Sequence, residues 1–111
     1  MQTVVETDAY LRAAQRAGMT DDEREFVVTY LSDCPDAGDL IVGSGGVRKV
    51  RVAGRGKGKS GGFRVLTFFK FEDWPVFLLD VFSKGEKANL TAAELQTLAK
   101  AVRALIDEGR R

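Results

Sequence analysis

Hydrophobic residues recur with a helical period near both ends of this chain and with a period of two in its middle. At the start of the chain, residues 3–6 (TVVE) predict a short strand, because the first three of them are β-branched. Residues 8–17 follow with apolar side chains at helical spacing, and Gly18 is placed to end that helix. The first elements are therefore a strand and a helix.

Two four-residue motifs mark the starts of further helices. Thr20 and Glu23 frame the sequence TDDE, and Thr91 and Glu94 frame TAAE. In such a capping box, the threonine hydroxyl and the glutamate carboxylate each accept a backbone N–H that the helix leaves unpaired. The first of these helices should end near Asp33, ahead of a proline. Both have apolar sides, formed by Phe26, Val27, Tyr30 and Leu31 in one and by Leu95, Leu98, Ala99, Val102, Leu105 and Ile106 in the other.

Residues 47–53 have the alternation of a strand. Val50 and Val52 should lie on one face, and Lys49 and Arg51 should lie on the other.

Two further segments, 63–71 and 76–82, are apolar on both faces, as strands covered from both sides would be. A turn at 72–75 makes them a hairpin. The predicted order is β, α, α, β, β, β, α. It indicates an α+β fold with a small, mostly antiparallel sheet of about four strands packed with helices. We expect a single domain over residues 1–111.

The composition is that of a globular protein, with 44% hydrophobic and 30% charged residues. No apolar run approaches the roughly 20 residues of a membrane span, and the first residues lack a signal-peptide pattern, so we expect a cytoplasmic protein. The chain has no histidine and one cysteine, Cys34. Histidine-based catalytic triads are therefore excluded, a zinc site lacks suitable ligands, and the thiol is expected to be incidental.

The charges are unevenly distributed, which the net charge of +1 conceals. Residues 40–71 contain eight basic side chains and no acidic one, whereas residues 1–39 contain three basic and nine acidic ones. A long segment without acids is expected where a protein binds a polyanion. The alternative is a solvated loop whose charges only maintain solubility, although such loops usually mix the two signs.

The segment 56–61 (GKGKSG) imitates two nucleotide-binding motifs. It matches GxGxxG and the end of GxxxxGK[ST]. The second motif needs a glycine where Ala53 stands, and both need a helix after the loop, whereas 63–71 predicts a strand. We therefore interpret the segment as part of a basic hairpin.

Three short strings carry a likeness to a known family: GGVRK at 45–49, GKSGGFR at 58–64 and SKGEK at 83–87. In this order they resemble the RelE-like and HigB-like toxins of bacterial type II toxin-antitoxin modules, and the likeness extends from the first strand to the last helix. The resemblance implies a RelE-like fold. It also implies a ribonuclease that enters the ribosomal A site, cleaves the bound mRNA and so inhibits translation. A cognate antitoxin, expected to be a helix-turn-helix DNA-binding protein, would neutralise it.

The resemblance also implies the site residues. Arg64 would contact the scissile phosphate, and Lys84 would face it from the neighbouring strand. The remaining members of the expected catalytic cluster are Lys49, Arg51 and Lys57. Further RNA contacts are expected from Arg48, Arg55, Lys59 and Lys87. No cofactor and no metal are implied.

The side chains available suit this chemistry. Cleavage by the neighbouring 2′-hydroxyl requires removal of a proton, stabilisation of a dianionic phosphorane and protonation of the leaving 5′-oxygen. An arginine stays charged and grips two phosphate oxygens, whereas a lysine among like charges has a lowered pKa suited to proton transfer. Which residue is the general base stays open.

Other points stay open as well. Some relatives stack an aromatic ring on the substrate base near the last helix, but no aromatic follows Lys84, so either Phe63 or Phe82 substitutes or stacking is not used. Asp80, in an apolar strand, is a partner in a structural ion pair or, less favoured, a catalytic carboxylate. The alternative functions are a non-catalytic nucleic-acid-binding module and a toxin of the same fold that inhibits a protein such as a topoisomerase.

Overall fold

The computed structural model describes residues 1–54, 62–87 and 89–109. Within them the elements are β1 (Val4–Glu6), α1 (Asp8–Ala17), α2 (Asp21–Asp33), β2 (Asp39–Leu40), β3 (Val47–Val52), β4 (Phe63–Phe68), β5 (Val76–Ser83) and α3 (Ala92–Gly109). The strands form a five-stranded sheet in the order β1-β5-β4-β3-β2. β1 pairs with β5 in parallel, and the other neighbours are antiparallel. The predicted α+β class is confirmed.

The helix boundaries follow the predicted caps. In α2, the Thr20 N–H donates to Glu23 Oε1 at 2.8 Å, and the Glu23 N–H donates to Thr20 Oγ1 at 3.1 Å. Thr91 and Glu94 make the same two bonds at the start of α3. Gly18 ends α1 in the left-handed conformation, with a φ of 78°. Local side-chain chemistry is therefore sufficient to set these boundaries.

The strands differ from the prediction in two places. β2 was not predicted, because two exposed residues at a sheet edge carry no alternating pattern. β4 ends at Phe68 rather than at residue 71. Phe68 pairs with Val47, the first residue of β3, and with Phe77 near the start of β5. Beyond that point β3 provides no further partner, and the chain enters the turn that the Trp74 N–H closes on the carbonyl of residue 71.

The two faces of the sheet carry separate hydrophobic clusters. Helices α1 and α2 pack on one face, which we call the α1–α2 face, and α3 packs on the other, the α3 face. The α1–α2 face buries Tyr10, Ala13, Ala14, Val27, Leu31, Val50, Val52, Phe63, Val65, Val76, Leu78 and Val81. The α3 face buries Val47, Leu66, Phe68, Leu79, Phe82, Leu98 and Val102. All six residues of β4 are buried, as predicted for a central strand.

The apolar side of α2 is narrower than the sequence predicts. Val27 and Leu31 are fully buried, but Phe26 and Tyr30 remain 39% and 38% exposed and stack on each other with ring centroids 6.1 Å apart. The pairs 27/31 and 26/30 form adjacent rows one residue apart, and only the first row faces the sheet.

Candidate nucleic-acid site

Two arginines predicted for the site lie side by side in the sheet. Arg51 on β3 is the register partner of Arg64 on β4, and Arg64 is opposite Phe82 on β5. Directly opposed residues of antiparallel strands point to the same face, with Cβ atoms about 4.5–5.5 Å apart. Lys49 lies two residues before Arg51 and shares this face, which is the α3 face. We call Lys49, Arg51 and Arg64 the cation row.

The cation row places like charges next to each other. Opposed like charges destabilise a strand pair by up to about 1 kcal/mol. Within the described residues, no ion pair involves Lys49 or Arg51. Arg64 is only 9% exposed, and its Nη1 donates to the carbonyl oxygen of Phe63 at 3.4 Å. An anionic ligand such as phosphate would relieve the repulsion and bind two positive groups at once.

The backbone of Lys84 is bonded to the chain just before Arg64. Its N–H donates to the carbonyl oxygen of Gly62 at 3.4 Å, two residues before Arg64. Gly62 has a φ of +62°, and a Cβ there would lie 2.1 Å from the carbonyl oxygen of Val52, so only glycine fits. This close approach holds together the end of β3, the start of β4 and the end of β5. The Lys84 side chain is exposed.

Lys87 lies on the same face as the cation row. Its ammonium is 5.0 Å from the centre of the Phe82 ring and forms an ion pair with Glu94, near the start of α3. The glutamate was predicted only as a cap, because its second partner lies seven residues earlier and is brought close by the turn after β5. The hydrogen bond from Lys87, followed by that from the Thr91 N–H, lowers the pKa of Glu94.

Asp80 also borders the cation row. Lys49 is opposite Leu66, and Leu66 is opposite Asp80 beside a β-bulge. Asp80 Oδ1 accepts the Val81 N–H at 2.8 Å. Burial raises the pKa of the carboxyl, and the Val81 hydrogen bond and the charge of Lys87 oppose that shift. The predicted structural ion pair is not formed with any described residue, because the nearest cations act on Asp80 only at longer range.

Arg48 lies away from the cation row. It follows Val47 in β3 and so points to the α1–α2 side, where its Nη1 donates to the carbonyl oxygen of Gly38 at 3.0 Å. The structure therefore brings Lys49, Arg51, Arg64, Lys84 and Lys87 to one region and separates Arg48 from it. The predicted site residues Arg55, Lys57 and Lys59 lie outside the described residues.

The two aromatic rings considered for base stacking are not accessible. Phe63 is 1% exposed and Phe82 is 2% exposed. Phe63 packs in the cluster on the α1–α2 face, and Lys87 lies over the ring of Phe82. Burial of both rings favours the other alternative, that base stacking is not used.

A groove of about 710 Å³ runs between α1 and α3. Its lining includes Leu66 and Leu79 from the sheet and Arg12 from α1. Asp80 and Glu94, which lie near the cation row, also line the groove. The groove is therefore continuous with the candidate site. Among the described residues, no group of three or more His, Cys, Asp or Glu side chains is arranged to hold a metal ion.

Comparison with known families identifies this chain as a toxin from a toxin-antitoxin pair. The family model described as "RelE toxin of RelE / RelB toxin-antitoxin system" matches residues 2–109, so this chain belongs to the RelE toxin family. The family resemblance seen in the sequence is thereby confirmed, and membership implies a cognate antitoxin as partner.

A solved structure supports the same fold. The chain is similar to a doubly substituted variant of the E. coli toxin RelE in the free state, with a TM-score of 0.56 and 15% identity over 90% of this chain and 95% of that chain. At this identity the likeness concerns the fold. Within the described part of the chain, no helix has both the length and the apolar character needed to cross a membrane.

Proposed function

We propose that this toxin is a metal-independent endoribonuclease that cleaves mRNA in the ribosomal A site and so inhibits translation. The observation that carries the proposal is the direct opposition of Arg51 and Arg64 on one sheet face, with Lys84 bonded to the backbone two residues from Arg64. Arg51 from β3, Arg64 from β4 and Lys84 from the turn after β5 can meet one phosphate there. Simple solubility would not require like charges to be directly opposed.

Each side chain has a distinct task in this reaction. Arg64, held against the backbone of its own strand, grips the scissile phosphate and stabilises the charge of the phosphorane. Lys84, which is exposed, approaches the same phosphate from the end of β5. Lys49 and Arg51 bind the flanking backbone, and Lys49 and Lys57 are the candidates for proton transfer.

The ribosome and the antitoxin are the proposed partners. A site made of cations alone aligns its substrate poorly, and a strand already held in the A site would arrive in a reactive geometry. The antitoxin is proposed to be a helix-turn-helix DNA-binding protein. It either covers residues 48–64 with acidic groups or acts indirectly by displacing α3, which packs through Leu98 and Val102.

The test is induced expression of the parent protein and of Arg64→Ala and Lys84→Ala. The parent should stop growth and truncate ribosome-bound transcripts at defined positions. Each substitution should lower cleavage at least about 100-fold, the effect of removing one preorganised donor to a developing anion. Thermal unfolding of the purified variants checks that the fold is intact, and ribosomes programmed with mRNA are compared with free RNA.

Arg103→Ala is the matched control, since it removes an exposed arginine from α3. It should leave cleavage unchanged. If both site variants cut as well as the parent, the proposed site is wrong. RNA binding without cleavage, weakening steeply with salt, would instead support the non-catalytic module. Growth arrest with intact transcripts and inhibited DNA supercoiling would support a protein-directed toxin.

A further inference from the structure

Hydrogen bonds within the turn after β5 fix the position of Lys87. The backbone N–H groups of Glu86 and Lys87 both donate to the carbonyl oxygen of Ser83, and the Ser83 N–H donates to Glu86 Oε1 at 2.9 Å. The turn thereby directs the Lys87 side chain towards Phe82 and α3. Because Phe82 is the register partner of Arg64, the ammonium lies beside the cation row.

Glu94 uses its two carboxylate oxygens for different purposes. Oε1 accepts the Thr91 N–H at 2.8 Å and completes the capping box of α3. Oε2 accepts the Lys87 ammonium. A glutamate that only capped the helix would leave the second oxygen in water. Here one carboxylate connects the start of α3 to Lys87, whose ammonium lies over the Phe82 ring.

The ion pair between Lys87 and Glu94 is exposed enough that its contribution to stability is small. The side chains are 30% and 40% exposed, and pairs of this kind contribute about 0–1 kcal/mol. The ion pair can matter more for ligand binding than for stability. A lysine side chain has four rotatable bonds and loses much rotamer freedom when it binds a ligand. A partner that fixes the ammonium in advance removes that loss from the binding step.

We propose that Glu94 is a positioning residue for RNA cleavage, which holds the Lys87 ammonium over Phe82 beside the cation row. This inference rests on the proposed endoribonuclease function. Glu94 does not contact the substrate and acts through Lys87. Lys87 supplies a fourth cation on the sheet face that carries Arg51 and Arg64, and it binds the RNA backbone next to the scissile phosphate.

Two other roles for Glu94 predict different results. If Glu94 is only a helix cap, its substitution changes stability, and any effect on cleavage persists when Lys87 is absent. If Glu94 competes with RNA for the ammonium, removal of its charge strengthens RNA binding and raises cleavage. The positioning role alone predicts a loss of cleavage that depends on Lys87.

The test is a double-mutant cycle with Glu94→Gln and Lys87→Ala, assayed on ribosomes programmed with mRNA. Glutamine keeps a carbonyl oxygen for the Thr91 N–H but loses the charge that holds the ammonium. Glu94→Gln and Lys87→Ala should each lower kcat/KM about tenfold, and the double variant should be no worse than Lys87→Ala. An equal additional loss in the Lys87→Ala background, or a gain of cleavage by Glu94→Gln, would overturn the proposal.

Thr91→Ala is the matched control. It removes the hydroxyl that accepts the Glu94 N–H at 3.1 Å but leaves the carboxylate and Lys87 in place. It should lower the unfolding temperature while cleavage by the folded protein stays near the parent level. A parent that cuts while Glu94→Gln cuts equally well refutes the positioning role alone. A parent that cuts no RNA refutes the proposed function itself.

Discussion

The two faces of the sheet use the same strands for opposite purposes. On β3, Val50 and Val52 turn to α1 and α2, while Lys49 and Arg51 turn to the α3 side. The first face is closed by two helices that bury a continuous apolar cluster. The second is covered by α3 only over part of its area, so Arg51 is exposed and Lys49 is half-buried, whereas Arg64 is buried. We therefore expect the residues that stabilise the fold and those that carry the proposed RNA cleavage to alternate along β3.

The difference explains how a chain of this size accommodates a strongly charged site. Like charges side by side are tolerable on a strand whose opposite face is held by an apolar core. Arg64 illustrates this, because its neighbours in β4, Phe63 and Val65, are both buried among the residues of the α1–α2 face. Changes on one face should affect folding, and changes on the other should affect cleavage.

The largest effect on the α1–α2 face is expected for Leu31→Ala. Leu31 is fully buried, and truncating such a leucine costs about 2–5 kcal/mol through lost burial and the cavity left behind. Urea unfolding followed by circular dichroism measures the change. Val42→Ala is the control, since Val42 is 92% exposed and should change little. Equal losses in the two variants would contradict a stabilising role for the buried Leu31 side chain.

Tyr10 provides a pH-dependent test of the same face. Burial, with a smaller effect of Glu6, raises the pKa of its phenol to about 12, above the ordinary value of 10.0. Its contribution to stability is fully present below pH 10 and is lost as the pH rises towards 12. Compared with Tyr10→Phe, the parent should lose about 1.4 kcal/mol more between pH 9 and pH 11. Unfolding free energies that differ by a constant amount over this range would exclude a buried phenol.

On the α3 face, Arg51→Ala should lower cleavage at least about tenfold and leave the unfolding temperature nearly unchanged. Arg51 is exposed, so little packing is lost. Arg48→Ala is the contrasting change on the same strand. Its loss of the bond to Gly38 should reduce stability by about 0.5–1.5 kcal/mol and affect cleavage much less. The two variants are compared in a ribosome-based cleavage assay and by thermal unfolding. Equal losses of cleavage would contradict the assignment of RNA cleavage to the α3 face.

The smallest effect is expected for Asp80→Asn. Because burial raises the pKa of this carboxyl, Asp80 favours the folded state at low pH and opposes it once the pH has risen through the folded pKa. The asparagine variant keeps an acceptor for the Val81 N–H and should be slightly more stable than the parent at pH 7. The difference should vanish below pH 3.8. Full loss of cleavage in Asp80→Asn would instead identify a catalytic carboxylate.

Local chemistry allowed most of the fold to be predicted from the sequence. The capping boxes gave the starts of α2 and α3, and alternation gave the two faces of β3. The predictions that were wrong concerned features set by residues distant in the chain. The end of β4 is set by where β3 begins, and the exposure of Phe26 is set by which row of α2 meets the sheet.

The same distinction applies to the site. The alternation of side chains in a strand predicted that Lys49 and Arg51 share a face. Only the register between β3 and β4 shows that Arg51 is opposite Arg64. The second partner of Glu94 could not be predicted, since a capping box contains no information about a lysine seven residues earlier. Residues 55–61 carry three of the predicted cations, whose roles stay predictions.

The parallel pairing of β1 with β5 has a consequence for how the chain folds. Val4 pairs with Val76, so the first strand made during synthesis has no partner until more than half of the chain has followed it. Pairing over such a separation is slow, because a long loop must close before the contact forms. β5 also brings Phe82 and Lys84 to Arg64. Closure of the sheet and assembly of the cationic surface are thus coupled late events, and an incomplete chain lacks both.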